Sequence, residues 1–354
     1  LERFSTMAPK SRKKNTIEGD GSKSKSAPVQ KASKKKRRGT TAEEKDANWT
    51  LEGLKCAGEF MDKYSVMGVE GIKAEFKSEI EQYKSPNYGD VAFKANSSKN
   101  RHKDPPTCLD TSRVSLPEKG YINASWLYDH TKFIRQYILT QAPMDCTVED
   151  FWKMSFEHKA MAIVVLCDLK ENGQDVSADF WPKSIGDFKN YGTMSVANKK
   201  SEQVHKETVS TLEVLPEGCS NSQIMSIVQF NAWEANFTQS TGRNLLKIIR
   251  VISRLESLGT GPVIVMDEFS GISRAAILTV VDIFAALIYK GEKGLSLPAI
   301  VKWARQSRNG MIRSEEDYVS VIKTLCEYLY RTNNDKYRDR FEKICGKAED
   351  LGGS

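Results

Sequence analysis

The 354-residue chain is 39% hydrophobic, enough for a sizeable core, and no run approaches the roughly 18 apolar residues that a membrane span requires. Its net charge of +7 belongs to the first 40 residues, where 13 Lys and Arg face 3 Asp and Glu; the remainder holds 40 against 43, a poor nucleic-acid surface by itself. Seven scattered cysteines without a CxxC pair argue against a disulfide framework and a structural zinc site, so no metal or cofactor is expected.

Residues 1–45 are rich in Lys, Ser, Gly and Thr and poor in large apolar residues, so they are expected to form a disordered basic tail. The run Lys34 to Arg38 suits nuclear import or attraction to nucleic acid or an acidic surface, and equally suits a solvated tail without a partner. No apolar signal-peptide core precedes it, and Met7 is a candidate natural start. Ordered structure is expected from Trp49. Ile72, Phe76, Ile80 and Tyr83 form a helical stripe ending before Pro86, and Pro105, Pro106 and Asp110 mark a loop. Ala162–Leu166, Gln223–Phe230 and Val263–Met266 read as strands, the first as a buried one. The third leads through Ser270 and Gly271 into an apolar helix from about Ala275. Val319, Ile322, Cys326 and Leu329 give the last helical stripe, and the charged residues 336–354 extend that helix or fray. Strands interleaved with helices predict an α/β fold.

The strand–loop–helix at 263–289 has the form of an anion-binding turn, in which backbone amides converge from a helix start. Its loop is Glu268, Phe269, Ser270, Gly271, Ile272, Ser273 and Arg274, and the arginine stands where its guanidinium can fork to phosphate oxygens. Alone this is weak, because an arginine at a helix start is usually solvated or paired with a carboxylate.

The surrounding text is more specific. Lys99-Asn100-Arg101-His102-Lys103-Asp104 is followed by Arg113-Val114-Ser115-Leu116, Tyr121-Ile122-Asn123-Ala124, Phe133-Ile134, Gln141-Ala142-Pro143, Thr147 to Met154 and Phe180-Trp181-Pro182. These blocks resemble, in order and spacing, those of the classical protein-tyrosine phosphatases of the single-domain, non-receptor type. The resemblance covers about residues 50–335. It implies a domain at 46–335 with a twisted, mixed, mostly parallel central sheet flanked by helices. It also implies a chemistry: a loop thiolate as nucleophile, a loop arginine, and an aspartic acid that protonates the leaving tyrosinate.

At the positions of that chemistry the sequence departs from the family. Glu268 stands for the nucleophilic cysteine, Asp267 for the histidine before it, and Ala275 for the hydroxyl after the retained Arg274. Ala235 replaces the general acid, Arg313 and Asp317 replace two water-positioning glutamines, and Val176 and Ser177 replace a Lys and a Cys, while Glu171 is kept. At the rim, His102 replaces the tyrosine that stacks on the substrate ring, and Asp104 keeps the backbone-holding carboxylate, though it reads equally as a turn residue before Pro105. The resemblance therefore implies an inactive member, a cytoplasmic or nuclear binding or scaffold protein for a tyrosine-phosphorylated or kinase partner. An active phosphatase with a rearranged site and a nucleic-acid-associated protein acting through its tail are the alternatives. Glu268 is expected at the loop centre, paired with Arg274. Its charge would cost an entering phosphate roughly 4 kcal/mol at about 4 Å and an effective dielectric near 20.

Overall fold

The computed structural model describes residues 49–347 apart from 87, 128–134, 172, 205–206, 231–232, 234–237, 257–258 and 334–335. The basic tail at 1–45, Phe133-Ile134 and Ala235 lie outside the described residues.

Helix α1 spans Leu51–Phe76 and starts on Thr50, whose hydroxyl accepts the Gly53 amide. Ala57, Phe60, Met61 and Tyr64 form its first buried stripe, at the i, i+3, i+4, i+7 spacing of one helical face. Gly68, with φ of 65°, interrupts it, and Ile72, Phe76 and Ile80 continue into a π turn at Lys77–Glu81. The helix expected before Pro86 is thus the second half of a longer one. It is followed by α2 Val91–Ala95, β1 Ala124–Leu127, β2 Tyr137–Gln141, α3 Val148–Glu157 and β3 Ala162–Val165. A short hairpin, β4 Lys170–Glu171 and β5 Gln174–Asp175, precedes a meander of β6 Phe188–Tyr191, β7 Met194–Val204, β8 Glu207–Pro216 and β9 Gln223–Phe230. The chain ends with α4 Gln239–Leu255, β10 Val263–Asp267, α5 Arg274–Lys290, α6 Leu297–Ser307, α7 Glu315–Thr332 and α8 Arg338–Cys345.

Among the described residues eight strands form one mixed sheet in the order β1-β2-β10-β3-β9-β8-β7-β6. Its centre, β2-β10-β3-β9, is parallel, and antiparallel strands complete both sides. β10 is buried along its whole length because helices cover both faces. Val263 and Val265 face the core shared with α1 and α4 to α8, while Ile264 and Met266 face a second core with Phe151, Trp152, Phe180 and Trp181. That alternation is the period of a strand. Helix α5 leaves the end of β10 buried on nearly every side, from Ala275 to Ile288. The loop between them therefore sits at the carboxyl end of the parallel strands, where open α/β sheets form their sites. Among the described residues no helix is long and apolar enough to cross a membrane.

Candidate phosphate-loop site

The backbone of the loop turns through Ser270 and Gly271, both left-handed with φ of 60° and 70°. At Gly271 a side chain would meet the Thr140 carbonyl oxygen at 2.9 Å, so the turn is packed directly on β2. From below, Arg308 holds it. This arginine is fully buried and donates to the Ser270 carbonyl at 2.7 Å, to Ser125 Oγ at 2.9 Å and to Asn123 Oδ1 at 2.7 Å.

The loop closes on its own side chain. Asp267 is fully buried, and its carboxylate accepts the amides of Gly271 at 2.6 Å, Ser273 at 3.2 Å and Ala275 at 2.9 Å. Sequence reasoning put Glu268 at the centre of these donors. The structure puts Asp267 there: it is the last residue of the strand, and its side chain lies on the amides of the turn that follows. Glu268 Oε1 does lie 3.0 Å from Arg274 Nη2, but neither Glu268 oxygen receives a hydrogen bond among the described residues.

This difference decides where the charge sits. Burial raises both carboxyls; at Asp267 three amides and Arg274 oppose it, whereas Glu268, also facing Asp267, is pushed up to about 8. The three amides favour the charged form of Asp267, and Glu268, which gains no such donors, is the carboxyl held most in its protonated form.

Arg274 is committed elsewhere. Its Nη1 and Nη2 donate to the two Glu171 oxygens at 2.6 and 2.9 Å, and Nη1 also reaches the Leu166 carbonyl at 3.0 Å. Its guanidinium lies 5.3 Å from the Trp233 ring. Glu171 in β4 thereby ties the hairpin to the start of α5.

At the mouth, His102 Nε2 lies 2.8 Å from the Glu268 carbonyl oxygen, and its ring stacks on Phe269 at 6.1 Å and 19°. The Arg313 guanidinium packs 4.2 Å from the centre of the same Phe269 ring. Asp317 is held inside this arrangement. Its carboxylate accepts Ser273 Oγ at 3.1 Å and the Arg313 amide at 3.0 Å, and burial pushes it up to about 6. Asp104 is exposed beside His102. The structure thus gathers Glu268 to Arg274, Ala275, His102, Arg313 and Asp317 around one loop.

Sequence reasoning missed Arg308, whose residue type in a segment after an amphipathic helix carries no sign of burial. It quoted Gln141 without seeing its task. The Gln141 amide bonds the Lys99 carbonyl, the Arg101 amide and the Asn123 side chain, so three of the quoted blocks meet at one residue.

This fold and loop define a phosphatase-like class, and the model of the protein-tyrosine phosphatase family matches residues 96–327. The chain belongs to that family. It is 27% identical to human receptor-type tyrosine-protein phosphatase epsilon over 266 residues, 72% of this chain and 37% of that protein. Rat tyrosine-protein phosphatase non-receptor type 9 is 27% identical over 292 residues, 77% and 49% respectively. The fruit-fly (Drosophila melanogaster) tyrosine-protein phosphatase Lar is 28% identical over 240 residues, 66% and 12%. The chain thus spans about half or less of the length of these relatives.

Proposed function

We propose that this member of the family does not hydrolyse phosphotyrosine and serves as a binding or scaffold module for a protein partner, a kinase or a tyrosine-phosphorylated protein, in the cytoplasm or nucleus. In this reading residues 46–335 form the domain and 1–45 a basic tail, and the charged segment 336–354 joins the domain through α8, whose Phe341 and Ile344 lie in its core. The observation that carries it is the Asp267 carboxylate, which takes the amides of Gly271, Ser273 and Ala275. A phosphate would have to displace these bonds and face a buried anion, at roughly 4 kcal/mol for one like charge about 4 Å away.

Chemistry at Glu268 supports the same reading. A carboxyl pushed up to about 8 is largely protonated at neutral pH and is then a poor nucleophile. Losing several members of one cooperating unit leaves little for any remaining member to do. The test is turnover of p-nitrophenyl phosphate by the full chain. Background rates at pH 5 to 8 are expected. Turnover that Arg274→Ala removes would overturn the proposal.

A further inference from the structure

Strand β6 ends the eight-stranded sheet, and among the described residues only β7 pairs with it. Phe188, Lys189 and Asn190 are exposed along it, and Tyr191 alone is buried. Edge strands are ordinarily shielded by charge, by a bulge or by a covering element, because their unpaired amides and carbonyls attract another strand. Here Phe188 is 69% exposed, and Ile185, just before the strand, 61%. Phe188 lies in one cross-strand row with Ala197, Glu213 and Ile224, on the solvent face of the meander, while Val196, Val214 and Met225 hold the opposite face in the second core. The Asp187 carbonyl accepts the Asn198 amide. By the alternation of an antiparallel ladder, Asp187, Lys189 and Tyr191 therefore turn their backbone groups toward β7, and Phe188 and Asn190 turn theirs outward. The same alternation puts the side chains of Asp187 and Lys189 on one face and the Phe188 ring on the other. Asp187 makes no ion pair among the described residues, and Lys189 pairs at 3.6 Å with a half-exposed Asp179.

We infer that this edge is a docking surface for a second copy of the chain, joined β6 to β6 in antiparallel fashion about a two-fold axis at Phe188. A strand that meets its own copy antiparallel faces its own sequence reversed. Centred on Phe188, whose amide and carbonyl point outward, the two copies exchange a pair of backbone hydrogen bonds and bring their two rings together on the solvent face. Asp187 of each copy then stands opposite Lys189 of the other, so both cross-strand charge pairs are attractive. A centre at Asn190 would set Lys189 opposite Tyr191 and Phe188 opposite Gly192, matching neither charge nor ring. An unrelated strand would have to supply the acidic and basic residues in reverse order, which the chain itself carries. β6 lies five strand positions from β10, roughly 24 Å by sheet spacing, so the junction is separate from the phosphate loop.

The experiment is sedimentation velocity of the full chain over a concentration series. One short strand makes a small interface, so a reversible dimer in the micromolar to submillimolar range is expected. Asp187→Lys and Lys189→Asp each turn two attractive cross-strand pairs into like-charge pairs, and each is expected to weaken the dimer at least about tenfold. Mixing the two single variants restores both pairs in a heterodimer, and carrying both substitutions on one chain restores them in a homodimer; association is expected to return in each case. Phe188→Pro removes the outward amide and the ring while leaving the hydrogen bonds to β7, and is expected to abolish the dimer. Circular dichroism checks that each variant is folded, and the two exposed charge variants carry the test if the proline variant is not. A chain that stays monomeric to about 1 mM overturns the inference. So does a dimer that the single charge variants leave intact, or one that mixing them does not restore.

Discussion

Arg274 gives both terminal nitrogens to Glu171, at 2.6 and 2.9 Å, and approaches Glu268 without hydrogen-bonding it. The retained arginine thus works as a clamp between the β4–β5 hairpin and the first turn of α5. Glu171→Gln keeps the shape and removes the charge. Because both side chains keep some solvent contact, the loss is set below that of a fully buried pair, at about 2 kcal/mol. Urea denaturation measures it, and an unchanged midpoint would show that the clamp does not contribute.

The protonated Glu268 gives a pH dependence of definite sign. Its carboxyl is raised from the ordinary 4.5 to about 8 in the fold, so the folded protein binds this proton more tightly than the unfolded chain. Its contribution is full below about pH 4.5 and is lost as pH rises through about 8. Glu268→Gln cannot lose a proton. Melting temperatures of variant and unchanged protein are expected to agree near pH 5 and to separate by several degrees near pH 8.5, with the variant higher. A variant lower at pH 8.5 would mean that ionised Glu268 stabilises the fold, contrary to its raised carboxyl.

Gly271 has φ of 70° and no room for a side chain against Thr140. Gly271→Ala is expected to cost about 2 kcal/mol or more, from the left-handed backbone and the contact together. Chemical denaturation reads it directly.

Arg308 is a charge with no water around it, satisfied by Ser270, Ser125 and Asn123. Arg308→Ala leaves those acceptors buried and unpaired, at about 3 to 5 kcal/mol. The same variant should also speed amide exchange at Ser270 and Gly271, since the loop loses its underside. Exchange unchanged at those amides would show that Arg308 supports β1 alone.

Restoring the nucleophile by itself should restore nothing. In Glu268→Cys, Asp267 still holds the loop amides and the position of Ala235 still offers no acid, so p-nitrophenyl phosphate turnover is expected to stay at background. Measurable turnover in this single variant would mean that one residue, and not the closed loop, keeps the protein silent.

How far the sequence reveals this depends on the kind of signal. Strands at 162 and 263 and the helix from 275 are legible because central strands and a helix buried on most sides read as apolar runs, and the strand at 223 because it alternates, though loosely. The motif blocks are legible because they touch: Lys99 pairs with Asp150 at 2.7 Å, and Tyr121 reaches Asn100 at 2.7 Å. The β7–β8 hairpin leaves no comparable mark, since one face of it is solvated and residues such as Lys199, Lys200 and Glu202 break the alternation. Helix α8 is hidden for a similar reason, with Phe341 and Ile344 its buried residues among charges. In the site, residue identities announce that chemistry is missing. Which of two adjacent carboxylates fills the loop is not written in them, because that turns on where β10 ends and on the left-handed pair at Ser270 and Gly271.

The most direct measurement is a calorimetric titration of the full chain with a phosphotyrosine peptide and its unphosphorylated counterpart, repeated with Arg274→Ala. With Asp267 on the loop amides, phosphorylation is expected to add no affinity, and Arg274→Ala to leave the two peptides equal. Micromolar or tighter binding of the phosphorylated peptide alone, abolished by Arg274→Ala, would contradict the closed loop and make the site a phosphotyrosine trap.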